Sequence, residues 1–288
     1  MTEQSDARLA ALDATLDEVL ENHPEDRGLI GRVVGAVTRA PTEEDLAALP
    51  QDLFAVVDAL DSSVALRRAV TDPGATEDRR RQLVHSLLDG KVSRAAVGIV
   101  ADAAARRWSN GRTMTAAVER QAVRAELAQA ERAGTLEETE DELFRFARLV
   151  ESNAALRNAL ADRAAPVANR QALVEDLLGS RSGPATVTLA RRAVTAHERT
   201  FGHTLEGYVT LAAKQKNRVI ATVRVARPLE GDQRSRLQAA LARQVGREVV
   251  LQEVIDPEVL GGVRVELGDE VVEGTVAGRL DEARRLFG

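Results

Sequence analysis

From Asp6 to Glu21 the chain reads DARLAALDATLDEVLE, and its apolar residues recur three and four apart. Leu9, Leu12, Leu16 and Val19 therefore share one helical face. The pattern stops at NHPEDRG, where Pro24 and Gly28 mark a linker. Beyond it the chain repeats itself. LFAVVDALDSSVALRRAVTDPGATEDRRRQLVHSLL (53–88) aligns without gaps on LFRFARLVESNAALRNALADRAAPVANRQALVEDLL (143–178), at an offset of 90. Leu53/Leu143, Phe54/Phe144, Leu66/Leu156, Arg67/Arg157, Asp72/Asp162 and Leu87/Leu177 are identical. Leu53, Val56, Val57 and Leu60 also match Leu143, Phe146, Ala147 and Val150, both sets at the i, i+3, i+4, i+7 spacing of a helix with one buried face. Chance likeness between Ala/Leu-rich helices would not preserve spacing and identity together, so a duplicated helical unit is the better account.

Local signals set the expected helix ends. Thr135-Leu136-Glu137-Glu138 has the form of a capping box, in which the Thr hydroxyl accepts from the backbone three residues on. Pro166 suits a first helical position, and Gly179 a left-handed stop after Leu178. Asn110-Gly111 reads as the end of a helix that begins near Ser93. Long helices are expected at 112–133 and 203–217.

The period then changes from helix to strand. Val219, Ala221, Val223 and Val225 alternate with Ile220, Thr222, Arg224 and Ala226. A helix is predicted at 231–245, with Leu237, Leu241 and Val245 on one face, and a strand at 248–255. Val263, Val265 and Leu267 alternate again, Gly268-Asp269 makes a reversal, and Glu270 to Val272 returns. Thr275 is placed to cap a last helix ending near Phe287. The expected fold is mostly α: a duplicated N-terminal helical bundle followed by a small α/β C-terminal module. Its divisions are an acidic helix and linker at 1–27, a first copy at 28–115, a second at 116–217, and the α/β module at 218–288.

Composition narrows the function. Aromatics make up 2% of the 288 residues, too few for a platform that stacks single-stranded nucleic acid. The net charge of −6 disfavours binding a phosphate backbone, so nucleic acid is not an expected partner. With no Cys there are no disulfides and no thiol nucleophile, which is compatible with a reducing compartment. Residues 1–20 lack the basic start and apolar core of a signal peptide, and no run reaches the ~18 apolar residues that a spanning helix needs. Residues 1–52 carry 12 acids against 4 bases, which reads as a solvated acidic arm or, more sharply, as a partner-facing surface.

Candidate chemistry is thin. His23, His85, His197 and His203 have no metal-binding spacing, so no metal is expected. The glycines at 261, 262, 268 and 274 form neither a P-loop nor a dinucleotide fingerprint, and no cofactor is expected. Asp269, Glu270 and Glu273 cluster on a small hairpin without the enclosed pocket that acid–base catalysis needs, so no catalytic residue is assigned. Trp108 reads as helix-end packing or as a partner anchor.

The chain's end resembles the C-terminal signature of the delta subunit of bacterial F-type ATP synthases, a family related to the mitochondrial oligomycin-sensitivity-conferring protein. The matching residues are Asp256-Pro257, Leu260-Gly261-Gly262, Val263-Arg264-Val265, Gly268-Asp269, Val272, Gly274 and Arg279-Leu280. Residues 116–217 look like the family's N-terminal bundle, with AERAGTLEETEDELFRFARL resembling the start of its second helix. Glu273, Thr275 and Val225 stand where the family usually has Asp, Ser, and Ser or Thr. The extra copy resembles the lengthened delta subunits of some high-GC Gram-positive bacteria.

That resemblance implies a non-catalytic stator subunit, one copy per complex, on the cytoplasmic face of the plasma membrane and held there indirectly. It would join the alpha and beta subunits of the catalytic head to the b-subunit stalk, so that proton-driven rotation is coupled to ATP synthesis. The alpha-binding groove is expected between the helix carrying Val118 and Leu127 and the helix carrying Val187 and Val194. Stalk attachment is expected at the Asp256–Gly274 signature. The rival reading is a helical-repeat adaptor unrelated to ATP synthase, which the duplication fits equally well and the C-terminal signature does not.

Overall fold

Helix for helix, the second copy repeats the first. The computed structural model describes residues 2–21, 41–195, 200–216, 218–227, 229–245, 248–255, 263–267 and 270–273. After α1 (Thr2–Glu21), the first copy forms α2 (Glu43–Ser62), α3 (Val64–Val70), α4 (Glu77–Leu88), α5 (Arg94–Ala105) and α6 (Gly111–Arg132). The second forms α7 (Leu136–Ser152), α8 (Ala154–Ala161), α9 (Val167–Leu178), α10 (Pro184–Ala193) and α11 (Phe201–Lys216). At the offset of 90 the correspondence runs through all five helices, well past the 36 aligned residues. Two compact units result, Met1–Leu20 with Glu44–Lys216, and Glu21–Glu43 with Asn217–Gly288.

Within the helical unit α6 is the central element. It contacts α3 and α5 of the first copy and α7, α10 and α11 of the second. Every residue from Gln121 to Ala128 is buried, so this helix has no solvent face along that stretch. One cluster joins Leu53, Val57 and Leu60 of α2 to Leu143 and Val150 of α7 through Val118, Val123 and Leu127 of α6.

Polar residues at equivalent positions of the two copies do the same work twice. Arg80 is 2% exposed and gives Nε to Ala104 O (2.6 Å), Nη2 to Ala105 O (2.6 Å) and Nη1 to Ala75 O (2.6 Å). Its counterpart Arg170 donates to Leu160 O and Val194 O. Arg67 donates to Leu60 O and Asp61 O at the end of α2, as Arg157 donates to Glu151 O at the end of α7. Asp52 accepts from Ser93 N at the start of α5 (2.7 Å), and Glu142 from Gly183 N at the start of α10 (2.9 Å). Each closes a helix end whose last carbonyls or first amides have no partner inside the helix.

Several sequence-based expectations shift at helix ends. The Thr135 hydroxyl makes no cap; it donates to Ala130 O, because the residue belongs to the close of α6. There Gly134, at φ 72°, turns the chain left-handed and Thr135 N reaches Ala130 O at 2.8 Å. Gly179 is right-handed, with φ −52°; a Cβ there would meet Glu175 O at 2.7 Å, so close approach accounts for the glycine. Asn110 begins a helix instead of ending one, accepting from Thr113 N at 3.0 Å, while α5 stops at Ala105. Pro166 sits one residue before its helix.

The acidic arm also resolves differently at α1. Leu12 and Leu16 are fully buried. Asp13 accepts from Gln121 (2.7 Å) and pairs with Arg120 (2.9 Å) and Arg124 (3.2 Å), and Asp17 pairs with Arg124 at 2.6 Å. Asp13 and Asp17 are thus committed to α6 and unavailable as a solvated face.

In the second unit, β1 (Arg218–Val225), α12 (Gly231–Val245), β2 (Glu248–Ile255), β3 (Val263–Leu267) and β4 (Glu270–Glu273) form a sheet in the order β2-β1-β3-β4. β1 and β2 are parallel, and the other pairs antiparallel. Ala221, Val223, Val225, Val249, Leu251 and Val265 pack with Leu241 of α12. From α12, Gln238 donates to Val249 O (2.8 Å) and Arg234 to Leu251 O (3.0 Å), covering carbonyls of the edge strand β2. The reversal at Gly268-Asp269 and the last helix lie outside the described residues, although Leu267 pairs with Glu270.

Arg80→Met should strand the carbonyls that end α5 and lower stability by about 3 kcal/mol, read by urea unfolding. The Asp13 carboxyl is raised by its burial, but hydrogen bonds from Arg120 and Gln121 and the charge of Arg124 outweigh that and hold it below the usual 3.8. Its contribution is therefore complete above the unfolded value and lost as pH falls through the lowered folded one. Protection of the α1 amides, taken relative to the intrinsic exchange rate at each pH, should fall on acidification below about pH 3.8 in the wild type, whereas Asp13→Asn should lower it already at pH 7.

Candidate partner-binding surfaces

The four residues expected to line the alpha-binding groove come together, but as interior. Val118 and Leu127 are 0% exposed and Val194 is 6% exposed, all within the main core. Val187, on α10, is half-buried against that core and is the one with accessible surface. Val118 and Leu127 stand nine positions apart, on opposite sides of α6, so they do not form one wall, and both sides of the helix are covered. The signature residues Asp256, Pro257, Leu260, Gly261, Gly262, Gly268, Asp269 and Gly274 lie outside the described residues. Glu270 and Glu273 fall on β4, opposite Leu267 and Arg264.

Other marked residues settle into structural roles. Trp108 donates Nε1 to Ala103 O at 2.7 Å, satisfying a carbonyl in the last turn of α5. His85 lies 3.1 Å from Asp89 and His203 lies 3.5 Å from Glu206, both on exposed surface. His23 and His197 lie outside the described residues.

Between the copies sits a residue that sequence reasoning passed over. Arg192 of α10 is 8% exposed, and its guanidinium stands 5.0 Å over the ring of Phe54 on α2. Its Nε donates to Glu119 of α6 at 3.0 Å, and its Nη1 pairs with Asp58 of α2. Burial works against the charge, but Glu119 and Asp58 overcome it and hold the guanidinium protonated beyond its ordinary value. One side chain thus ties the second copy to the first and to the helix between them. Its signal was weak but present: Arg192 follows Ala185 and Leu189 at helical spacing, an Arg on an apolar stripe.

Beside this contact, α3, α6 and α11 frame an open cleft of about 780 Å³, lined by Arg67, Arg112, Glu119, Tyr208, Leu211 and Lys214 among others. Burial, helped by the Glu119 charge, pushes the Tyr208 phenol well above its usual value. On α6, desolvation raises the Glu126 carboxyl to about 7. The surface of α7 carries a large apolar group of its own, Phe144 at 53% exposed.

Comparison with known proteins places this architecture. Residues 118–287 match the family described as ATP synthase delta (OSCP) subunit, from within α6 to the penultimate residue. The ATP synthase subunit delta of Kineococcus radiotolerans is 47% identical over 236 residues, 82% of this chain and 86% of that one. Those of Parafrankia sp. (44% over 278 residues) and Frankia alni (42% over 282 residues) match over 96% and 97% of this chain, and over 96% of their own length. The likeness to these two therefore extends through the first helical copy as well as the part the family description covers. On both counts this chain belongs to the ATP synthase delta (OSCP) subunit family.

Proposed function

We propose that the chain is a non-catalytic stator subunit of an F-type ATP synthase, holding the alpha and beta subunits of the head to the b-subunit stalk. The observation that carries this reading is the division into two compact units of unlike architecture, all-helical to Lys216 and sheet-bearing from Asn217. A tether between two bodies needs two separate attachments, and a packed helical interior transmits load instead of absorbing it. Residues 28–115 are taken as the added copy, 116–217 as the family bundle and 218–288 as the stalk-binding module, with 1–27 as helix and linker, so that α6, the last helix of the first repeat, also serves as the first helix of the bundle. One copy serves each complex, on the cytoplasmic face of the plasma membrane, held through its partners. Proton-driven rotation then turns the rotor and not the head.

Within this reading, an amphipathic helix from alpha docks along the seam of α6 and α10, with Val187 the exposed contact, Val194 beneath it, and Val118 and Leu127 on opposite sides of α6 holding that helix in place. The Asp256–Gly274 signature holds the b subunit.

Affinity-tagged full-length chain should recover alpha, beta and b subunits together, and recovery of unrelated partners alone would overturn the stator reading. Leu127→Asp is a poor probe, because a charge at a fully buried site would unfold the helical unit, losing several kcal/mol. Val187→Asp should release the head while shifting Tm by no more than a few degrees. Head recovery unchanged by that substitution would remove the seam as the docking site.

A further inference from the structure

The duplication supplies an internal template for a second docking surface. Phe54 and Phe144 are identical residues at equivalent positions of α2 and α7. In the first copy the ring is 6% exposed, because Arg192 of the second copy lies over it and is held by an acid one turn along, Asp58. The second copy has no third copy to cover it. Phe144 stands 53% exposed beside an open cleft of about 750 Å³. That cleft is bounded by Glu137, Glu138, Glu140 and Asp141, with Val209 of α11 and Lys216; Asp141 also pairs with the neighbouring Arg145 at 2.6 Å, which leaves Glu138 and Glu140 as the main excess of acid. Lys216 is already committed to Glu137 at 2.8 Å.

A single exposed Phe is ordinary on a protein surface. Here the same Phe, on the same face of the same helix, is shown once with its cover in place. The missing cover in the template is a guanidinium; the acids that hold it there, Asp58 and Glu119, correspond to Arg148 and Val209 in the second copy, so around Phe144 the charge is supplied instead by the acids of the cleft.

We infer that the Phe144 face of α7 docks a basic amphipathic helix from a neighbouring subunit of the ATP synthase, which lays an Arg or Lys over the ring and sets its charge among Glu138, Glu140 and Asp141. A cation over an aromatic face gains most once water is excluded, and the acidic rim orients its approach. This surface lies on α7 and α11, apart from the α6–α10 seam, and stands independently of what that seam holds.

The test is site-specific photocrosslinking in the assembled complex. Phe144→p-benzoylphenylalanine is introduced into the full-length chain, the purified complex is irradiated, and the joined peptide is sequenced. The expected product is a peptide of another subunit in which Arg or Lys recurs at helical spacing near the joined residue. Adding Glu138→Lys and Asp141→Lys, both exposed and so tolerated by the fold, should cut its yield about tenfold. An unchanged melting temperature for the triple variant keeps a lost crosslink from being mistaken for unfolding. No crosslink before charge reversal, a joined peptide without basic residues, one from this chain itself, or a yield indifferent to the reversal would each overturn the inference.

Discussion

A helix with no solvent face is the constraint on which the helical unit depends. α6 closes the first copy and is packed by the second, so along Gln121–Ala128 each side chain meets protein. Small residues answer the packing demand, with Ala122, Ala125 and Ala128 among them. Polar ones must be paired or neutralised, since a buried charge without a partner is expensive. Gln121 and Arg124 find partners in Asp13 and Asp17 of α1. Glu126 meets the same demand by the other route, its carboxyl pushed towards neutrality by desolvation. The acidic N-terminal helix is in this sense part of the solution to burying α6.

A second consequence is that the two copies are not beads on a string. They share α6, and Arg192 reaches from α10 to Phe54, Asp58 and Glu119. Such a body resists bending between copies, because bending would draw the buried Arg192 guanidinium away from its acids and open a packed core. That stiffness is in keeping with the stator role proposed above. The sheet unit uses a different economy: among the described residues, four short strands, one helix, and side chains of that helix covering one exposed edge.

Duplication in the sequence and duplication in the structure illuminate different residues. The identities at Leu53/Leu143 and Leu87/Leu177 marked a shared core. Those at Arg67/Arg157 and Asp72/Asp162 marked the duplication without a role, and only the structure shows the arginines closing helix C-termini and each Asp accepting from the amide two residues on. Where the copies differ, the structure explains the difference by what lies opposite. Asp58 faces Arg192, whereas its counterpart Arg148 faces solvent and pairs locally with Glu151.

Read alone, the sequence determined the class of fold, the helical repeat and its offset, the change to strands near residue 218, and the extents of α12 and β2 to the residue. These follow from hydrophobic periodicity, which is a local property of the chain. It also carried the family resemblance, through an ordered series of turn residues. Helix ends were less legible: Thr135, Gly179 and Asn110 each have the right chemistry for the role expected, but backbone angles set by the neighbouring helix assigned another. Tertiary structure alone decided which apolar faces remain accessible. Val118 and Leu127 read as groove-lining because both are apolar on one long helix, but they face opposite ways, and the sequence does not show how many neighbours that helix will have. The same limit hid Arg192, whose meaning depends on residues 73 and 134 positions away in the chain.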